Sequence, residues 1–142
     1  MEIPAEFNGQ KVVGISGSGK SSLFTGAKKI TLPNTIREID DYAFAGCSQL
    51  TEINIPSTVE EIGEHAFDGC AALGELTIPN GVREIDEYAF RGCTSLLNVA
   101  LPDSLTDLED NVFDTNVVFN VTYKGVSYTP ANIAELYMLL DD

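Results

Sequence analysis

The sequence predicts a short right-handed repeat solenoid, rich in β-strand and closed at its C-terminal end by a β-hairpin and a helix. Two observations carry this prediction. The first is a 23-residue period: Pro33, Pro56, Pro79 and Pro102 keep it, as do Phe44, Phe67, Phe90 and Phe113. Ile39, Ile62, Ile85 and Leu108 follow the same spacing, with Cys47, Cys70, Cys93 and Leu50, Leu73, Leu96. The second is the end of that pattern after residue 116, where a hairpin and helix signal replaces it. A repeat unit of this length cannot bury its apolar face alone, so stacking on its neighbours closes the core.

Residues 1–29 form an irregular entry rung, with Val12 and Ile15 aligned on Ile36 and Ile39 and with Leu23 and Phe24 filling the slot that Phe44 and Cys47 occupy one rung later. Residues 30–116 hold four repeats. Within each, alternation at positions such as Ile53, Ile55 and Leu76, Ile78 marks one short strand, because successive strand residues face opposite sides. The following proline lacks the N–H that a strand would donate and turns the chain. Val59 and Ile62, like Val82 and Ile85, re-enter the core on the next side, and the Ala-Phe pair with its following Gly makes the third corner. Residues 117–142 read as a cap. Val121–Tyr123 and Val126–Tyr128 flank Lys124-Gly125 as a hairpin. Thr129 is then the expected N-cap and Pro130 the first helical residue. Ile133, Leu136, Tyr137 and Leu140 share one helical face, suited to plugging an open solenoid end.

The segment I-P-S-T-V-E-E-I-G-E-H-A-F-D-G-C, residues 55–70, resembles the BspA-like leucine-rich repeat of bacterial surface and secreted proteins. The likeness runs through residues 30–113 in four units, the last departing with Thr115 and Asn116 where Gly and Cys belong. Residues 3–15 resemble the irregular entry of such domains and residues 117–142 their ending, so 1–142 reads as a single domain. The resemblance implies an extracellular or cell-surface bacterial protein, often part of a longer chain, that adheres to host proteins, matrix or other cells. The start, Met1-Glu2-Ile3-Pro4, has neither the basic region nor the apolar core of a signal peptide. A surface location therefore requires a leader outside these residues.

Gly14-Ile15-Ser16-Gly17-Ser18-Gly19-Lys20-Ser21 fits the phosphate-loop pattern G-x-x-x-x-G-K-[ST] in full. Phosphate binding would need this loop to open a helix whose dipole faces the anion. Only residues 22–29 separate it from the next repeat strand, and its register places it at a repeat corner. Tyr137-Met138-Leu139-Leu140-Asp141, which could imitate the matching acidic strand, falls on the capping helix. A nucleotide-binding protein is therefore the alternative reading, and the expected protein is not an enzyme.

The three cysteines stack at about 5 Å, the inter-strand spacing, and serve as a buried apolar ladder with at least one thiol free. No C-x-x-C occurs and His65 is the single histidine, so neither a zinc site nor a Cys-His pair is expected. No cofactor or metal is expected. Twenty-two acidic against eight basic residues give a formal charge of −14, which repels nucleic acid and anionic lipid. No run approaches the length of a membrane span, and no membrane insertion is expected. The acids are ordered: Glu38, Glu61, Glu84, Asp107 form one column and Asp41, Glu64, Glu87, Asp110 another, with Arg37 and Arg83 placed to relieve the repulsion. These columns read as a solvated face, with weak calcium binding through their oxygens as the functional counterpart.

Two surfaces are candidates for a partner. One is an exposed column of Tyr42, His65 and Tyr88, whose rings offer large contact area. The other is the outward strand face at Glu52, Asn54, Glu75 and Thr77. Taken together, the sequence points to a non-catalytic module, a monomer or a piece of a longer chain, that binds a host or matrix protein or glycan. A purely structural spacer is the remaining alternative.

Overall fold

The computed structural model describes residues 1–114, 116, 117 and 119–141; Thr115, where the last repeat loses its glycine, lies outside them. The chain winds as a stack of turns, each turn meeting the next in register. The firmest side is a five-stranded parallel sheet of Gly14–Ile15, Glu38–Ile39, Glu61–Ile62, Glu84–Ile85 and Asp107–Leu108. Pairing of Ile15 with Ile39 and of Ile39 with Ile62 sets the first turn where the sequence register puts it.

Each turn is shaped by local bonds that its sequence specifies. The amides of Ile36, Val59, Val82 and Leu105 donate to the carbonyls of Pro33, Pro56, Pro79 and Pro102, closing a tight turn at every proline. At the third corner the amides of Cys47, Cys70 and Cys93 donate to Phe44, Phe67 and Phe90. Gly46, Gly69 and Gly92 there have φ of 77°, 81° and 73°, a left-handed backbone that glycine adopts without steric penalty.

Inside, the columns seen in the sequence become contacts. The rings of Phe44, Phe67, Phe90 and Phe113 stack with centroids 5.3, 5.4 and 5.7 Å apart. Ile39, Ile62, Ile85 and Leu108 are wholly buried beside them. The three thiols are free and buried, each donating to a carbonyl of the turn before: Cys47 to Phe24, Cys70 to Phe44 and Cys93 to Phe67, at 3.4, 3.2 and 3.1 Å. Burial pushes the Cys93 thiol up to about 12. Cys47 goes the other way, to about 7, chiefly through its hydrogen bond with Cys70, so the ladder is buried packing with a more acidic thiol at its first turn.

The strand pattern differs from the one-strand-per-repeat expectation. The continuous sheet lies on the Glu-Ile side, whereas the Leu-x-Ile side is broken into Lys29–Ile30 paired with Glu52–Ile53, and Asn98–Ala100 paired with Asn120–Tyr123. The strand expected at Leu76 and Ile78 does not form. Where the first two turns meet, the Asn54 side-chain amide clamps the Leu32 backbone, accepting from N at 2.8 Å and donating to O at 3.0 Å. Thr77, one repeat on, makes no such bond to Ile55, and a crevice lies between the two turns there.

Both ends depart from expectation in detail. Phe24 packs on Phe44 at 5.8 Å, but Leu23 points to solvent, and the buried Ser22 hydroxyl takes its place by donating to Ala43 O at 2.6 Å. At the other end the hairpin Asn120–Tyr123 and Val126–Tyr128 turns at Lys124 and Gly125, both with positive φ. The regular helix spans Ile133–Leu139, starting later than Pro130. Thr129 caps the turn that leads into it: its hydroxyl accepts from Ala131 N, its carbonyl accepts from Ile133 N at 2.9 Å, and its amide donates to the Asn132 side chain. Ile133, Leu136, Tyr137 and Leu140 are buried as the helical face requires. The cap also satisfies backbone groups of the final turn: Tyr137 Oη accepts from Phe113 N at 3.1 Å, and Leu140 O accepts from Leu108 N at 3.1 Å.

Candidate functional site

Tyr42, His65 and Tyr88 all sit in the left-handed region, with φ of 59°, 54° and 60°, and Asn111 continues the column at 59°. For a residue bearing a Cβ this costs roughly 1–2 kcal/mol, offset here by a backbone ladder. The amides of Tyr42, His65 and Tyr88 donate to Glu64, Glu87 and Asn111 in the following turns. That backbone directs the rings along the stack axis. Tyr42 lies on His65 at 4.7 Å and His65 on Tyr88 at 4.9 Å.

The column is thus half-buried and not freely exposed as the spacing implied, since each ring covers its neighbour's face and leaves an edge to solvent. His65 Nδ1 meets Asp68 at 2.7 Å, and Arg91 pairs with the same carboxylate at 2.8 Å while lying 5.0 Å over the Tyr88 ring. Lys20, Tyr42, His65, Asp68 and Arg91 together line a shallow recess of about 410 Å³. Asp68 and Arg91 were not singled out from the sequence; only the fold brings them to the ring column.

Glu52, Asn54, Glu75 and Thr77 come together along a crevice of about 550 Å³ between the two parted turns. Glu52 is paired with Lys29 at 3.5 Å, and the Asn54 amide is occupied by Leu32. Glu75 and Thr77 remain outward and exposed. This crevice and the aromatic recess share no lining residue.

A third and larger groove, about 730 Å³, crosses several turns beside the long sheet and was not anticipated. Lys11, Thr35, Arg37, Glu60 and Arg83 are among its lining residues. Glu60 bridges Arg37 at 3.2 Å and Arg83 at 3.5 Å. The two arginines, expected to relieve the acidic columns, are engaged mainly with this one carboxylate. A 23-residue column of Arg37, Glu60 and Arg83 was the available signal.

The Glu38, Glu61, Glu84, Asp107 column runs in register along the long sheet. A further set, Asp40, Asp86 and Glu109, lies two positions on. Asp86 is pushed up to about 7, chiefly by burial and then by the charge and hydrogen bond of Glu84. Asp40, Glu61 and Glu109 are raised as well, burial again being the main cause. Carboxyl oxygens of Glu84, Asp107 and Glu109 lie within 4.8 Å of one another.

An acid with a raised folded pKa keeps its proton where the unfolded chain has already lost it. Between about pH 4 and pH 7 the folded state therefore binds more protons, and stability falls as pH rises. After allowance for solvent screening, Asp86 contributes about 1–2 kcal/mol to this loss. Denaturant titrations from pH 5 to pH 8 should show the decline, flattened in Asp86→Asn; stability that rises with pH over this range would overturn the assignment.

The loop Gly14–Ser21 is built as a turn corner. Gly14 and Ile15 lie in the long sheet, Ser18 bridges Ser21, and no helix follows. A Cβ on Gly17 would meet the Tyr42 carbonyl oxygen at 2.5 Å and that of Ser21 at 2.6 Å. Packing against the next turn, not approach of a phosphate, requires that glycine. Magnesium and ATP should leave the melting temperature unchanged, whereas Gly17→Ala should lower stability by about 1–3 kcal/mol. A nucleotide-dependent rise in melting temperature would refute the corner reading.

A family model for the BspA type leucine rich repeat region matches residues 21–131 in six copies. The chain belongs to the BspA-type leucine-rich repeat family. A leucine-rich repeat protein of T. pallidum is similar at 29% identity and a TM-score of 0.72, over 78% of this chain and 51% of that one. A leucine-rich cell surface protein from Faecalibacterium prausnitzii matches 99% of this BspA-type chain and 34% of its own length, at 25% identity and a TM-score of 0.74. A leucine-rich repeat protein from Bacteroides ovatus, 24% identical with a TM-score of 0.57, shares the fold over 86% of this chain and 44% of its own. The chain spans between a third and about half of these relatives' lengths. No curated protein matches it.

Proposed function

We propose that this chain is a non-catalytic protein-binding module, acting as one unit over residues 1–142, that serves adhesion at a bacterial cell surface. Membership of the BspA-type family supports an interaction role, and the name of the Faecalibacterium relative supports the location. The observation that carries the reading is the stacked ladder of Tyr42, His65 and Tyr88 above a recess edged by Asp68 and Arg91. Pre-stacked rings lose little conformational freedom on binding, and aromatic and arginine side chains supply much of the energy at protein interfaces. Glu75 and Thr77 on the parted strand face extend the surface available to a large partner, protein or glycan.

The test is capture from host or community extract followed by direct titration of the captured partner. Tyr42→Ala with Tyr88→Ala should weaken binding by at least tenfold while leaving the fold intact. Equal binding by the double variant would remove the ladder from the function.

A further inference from the structure

Charge at the ring column runs against that of the whole molecule. Lys20, from the corner Gly14–Ser21, and Arg91, further along the stack, both line the recess beside Tyr42 and His65. Among the described residues Lys20 makes no ion pair, whereas Arg91 shares the Asp68 carboxylate with His65. With His65 neutral, two cations and one carboxylate leave the recess one positive charge in surplus, in a chain of −14. The acidic column Asp41, Glu64 and Glu87 precedes Tyr42, His65 and Tyr88 by one residue each and lines no part of the recess.

Stacking decides which part of each ring a ligand can meet. His65 is covered on both faces, by Tyr42 at 4.7 Å and by Tyr88 at 4.9 Å, and Arg91 lies over the Tyr88 ring. The faces, which are the negative side of an aromatic ring, are thus largely occupied, and the recess offers edges, which are its positive side. A cation seeks a ring face and gains little there. An anion gains from the edge of Tyr42 and from Lys20 and Arg91 together.

We propose that the recess takes the carboxylate of an acidic side chain from a protein partner, with a neighbouring basic side chain of that partner lying against the Asp41, Glu64 and Glu87 column. The proposal rests on the binding role of the ring column and names the chemistry of what is bound. A wholly acidic partner would meet repulsion from the adjacent column and from the chain's charge of −14. A wholly basic one would be opposed by Lys20 and Arg91. Opposite charges side by side are the pattern this surface complements, and a polypeptide supplies them, whereas an acidic glycan brings carboxylates without the cation. Lys20 sets the preference, because Arg91 is already held by Asp68 at 2.8 Å and Lys20 has no such partner.

The probe is the dipeptide Lys-Glu with both ends blocked, titrated into the intact chain to about 10 mM, the range for a ligand of few contacts, with amide shifts followed by NMR. Saturable shifts are expected at Lys20, Gly46 and the ring column. Replacing the peptide's glutamate by glutamine, or its lysine by alanine, should weaken binding about fivefold. Lys20 is exposed, so Lys20→Glu should keep the fold and abolish saturation, and Lys20→Arg should preserve it. Absence of saturable shifts, equal binding of the glutamine or the alanine peptide, or unchanged binding by Lys20→Glu would overturn the proposal. Glucuronate binding as tightly as the dipeptide would overturn the assignment to protein. If the dipeptide fails while the Tyr42 and Tyr88 double variant still loses the captured partner, the ring column keeps its role and the carboxylate recess alone is refuted.

Discussion

Replacing Phe67 by alanine is expected to cost about 3–5 kcal/mol, the range for a fully buried aromatic ring. Phe67 is wholly buried and is the middle ring of the column, 5.3 Å from Phe44 and 5.4 Å from Phe90. Its removal strips a stacking partner from two rings at once, beyond the apolar area lost. The cavity cannot easily collapse, because the backbone on both sides is held by turn-to-turn bonds: Phe67 N donates to Ala89 O at 2.8 Å and Phe44 N to Ala66 O at 2.7 Å. Since each turn touches only its neighbours, loss at the centre uncouples the two halves of the stack. Denaturant unfolding should show a fall in midpoint and a loss of cooperativity. A loss below about 1 kcal/mol would mean that the neighbouring rings close the gap.

Leu136→Asp should be nearly as damaging but in a different place. Leu136 is fully buried at the centre of the capping face. A carboxylate there has no cation within the helix to meet, and an unpaired buried charge forces the element to undock. Undocking exposes Phe113 N and Leu108 N, which now donate to Tyr137 Oη and Leu140 O. The expected cost is about 3–5 kcal/mol at the C-terminal end, with the earlier turns retained. Hydrogen exchange should therefore quicken first in residues 105–113 and 119–128, while amides near Ile39 and Ile62 stay protected. Uniform loss of protection would show the cap to be part of one all-or-none unit.

The contrast between these predictions reflects what was legible. The period alone identifies the core, because Phe, Ile, Leu and Cys repeat at fixed positions and each such column is buried. Likewise the prolines identify the turns, since the amide three residues later bonds back to each proline carbonyl. The hairpin over 120–128 and the buried face of the last helix were readable for the same reason: their signals are local. Leu23 was misassigned because one register column cannot reveal that Ser22 has a carbonyl partner 21 residues away. Thr129 was legible as the cap because its bonds are local, whereas the later start of the regular helix, at Ile133, was not.

Among the candidate sites, the column of Tyr42, His65 and Tyr88 was visible as spacing, but its half-buried stacking was not. Positive φ at these corners turns the rings along the axis, and nothing in a tyrosine or histidine announces that backbone. Asp68 and Arg91 belong to the same recess although 23 residues separate them, and only coiling brings them within 2.8 Å. The sequence by itself determined the repeat, the buried columns, the acid-rich face and the presence of a cap, because each rests on side-chain type at fixed spacing. The tertiary structure decided which side of the turns closes into a continuous sheet and where the stack parts between residues 51–55 and 75–77. Those features depend on distances between turns, set by hydrogen bonds such as that of Asn54 to Leu32, and distance between turns is not written in the order of residues along one chain.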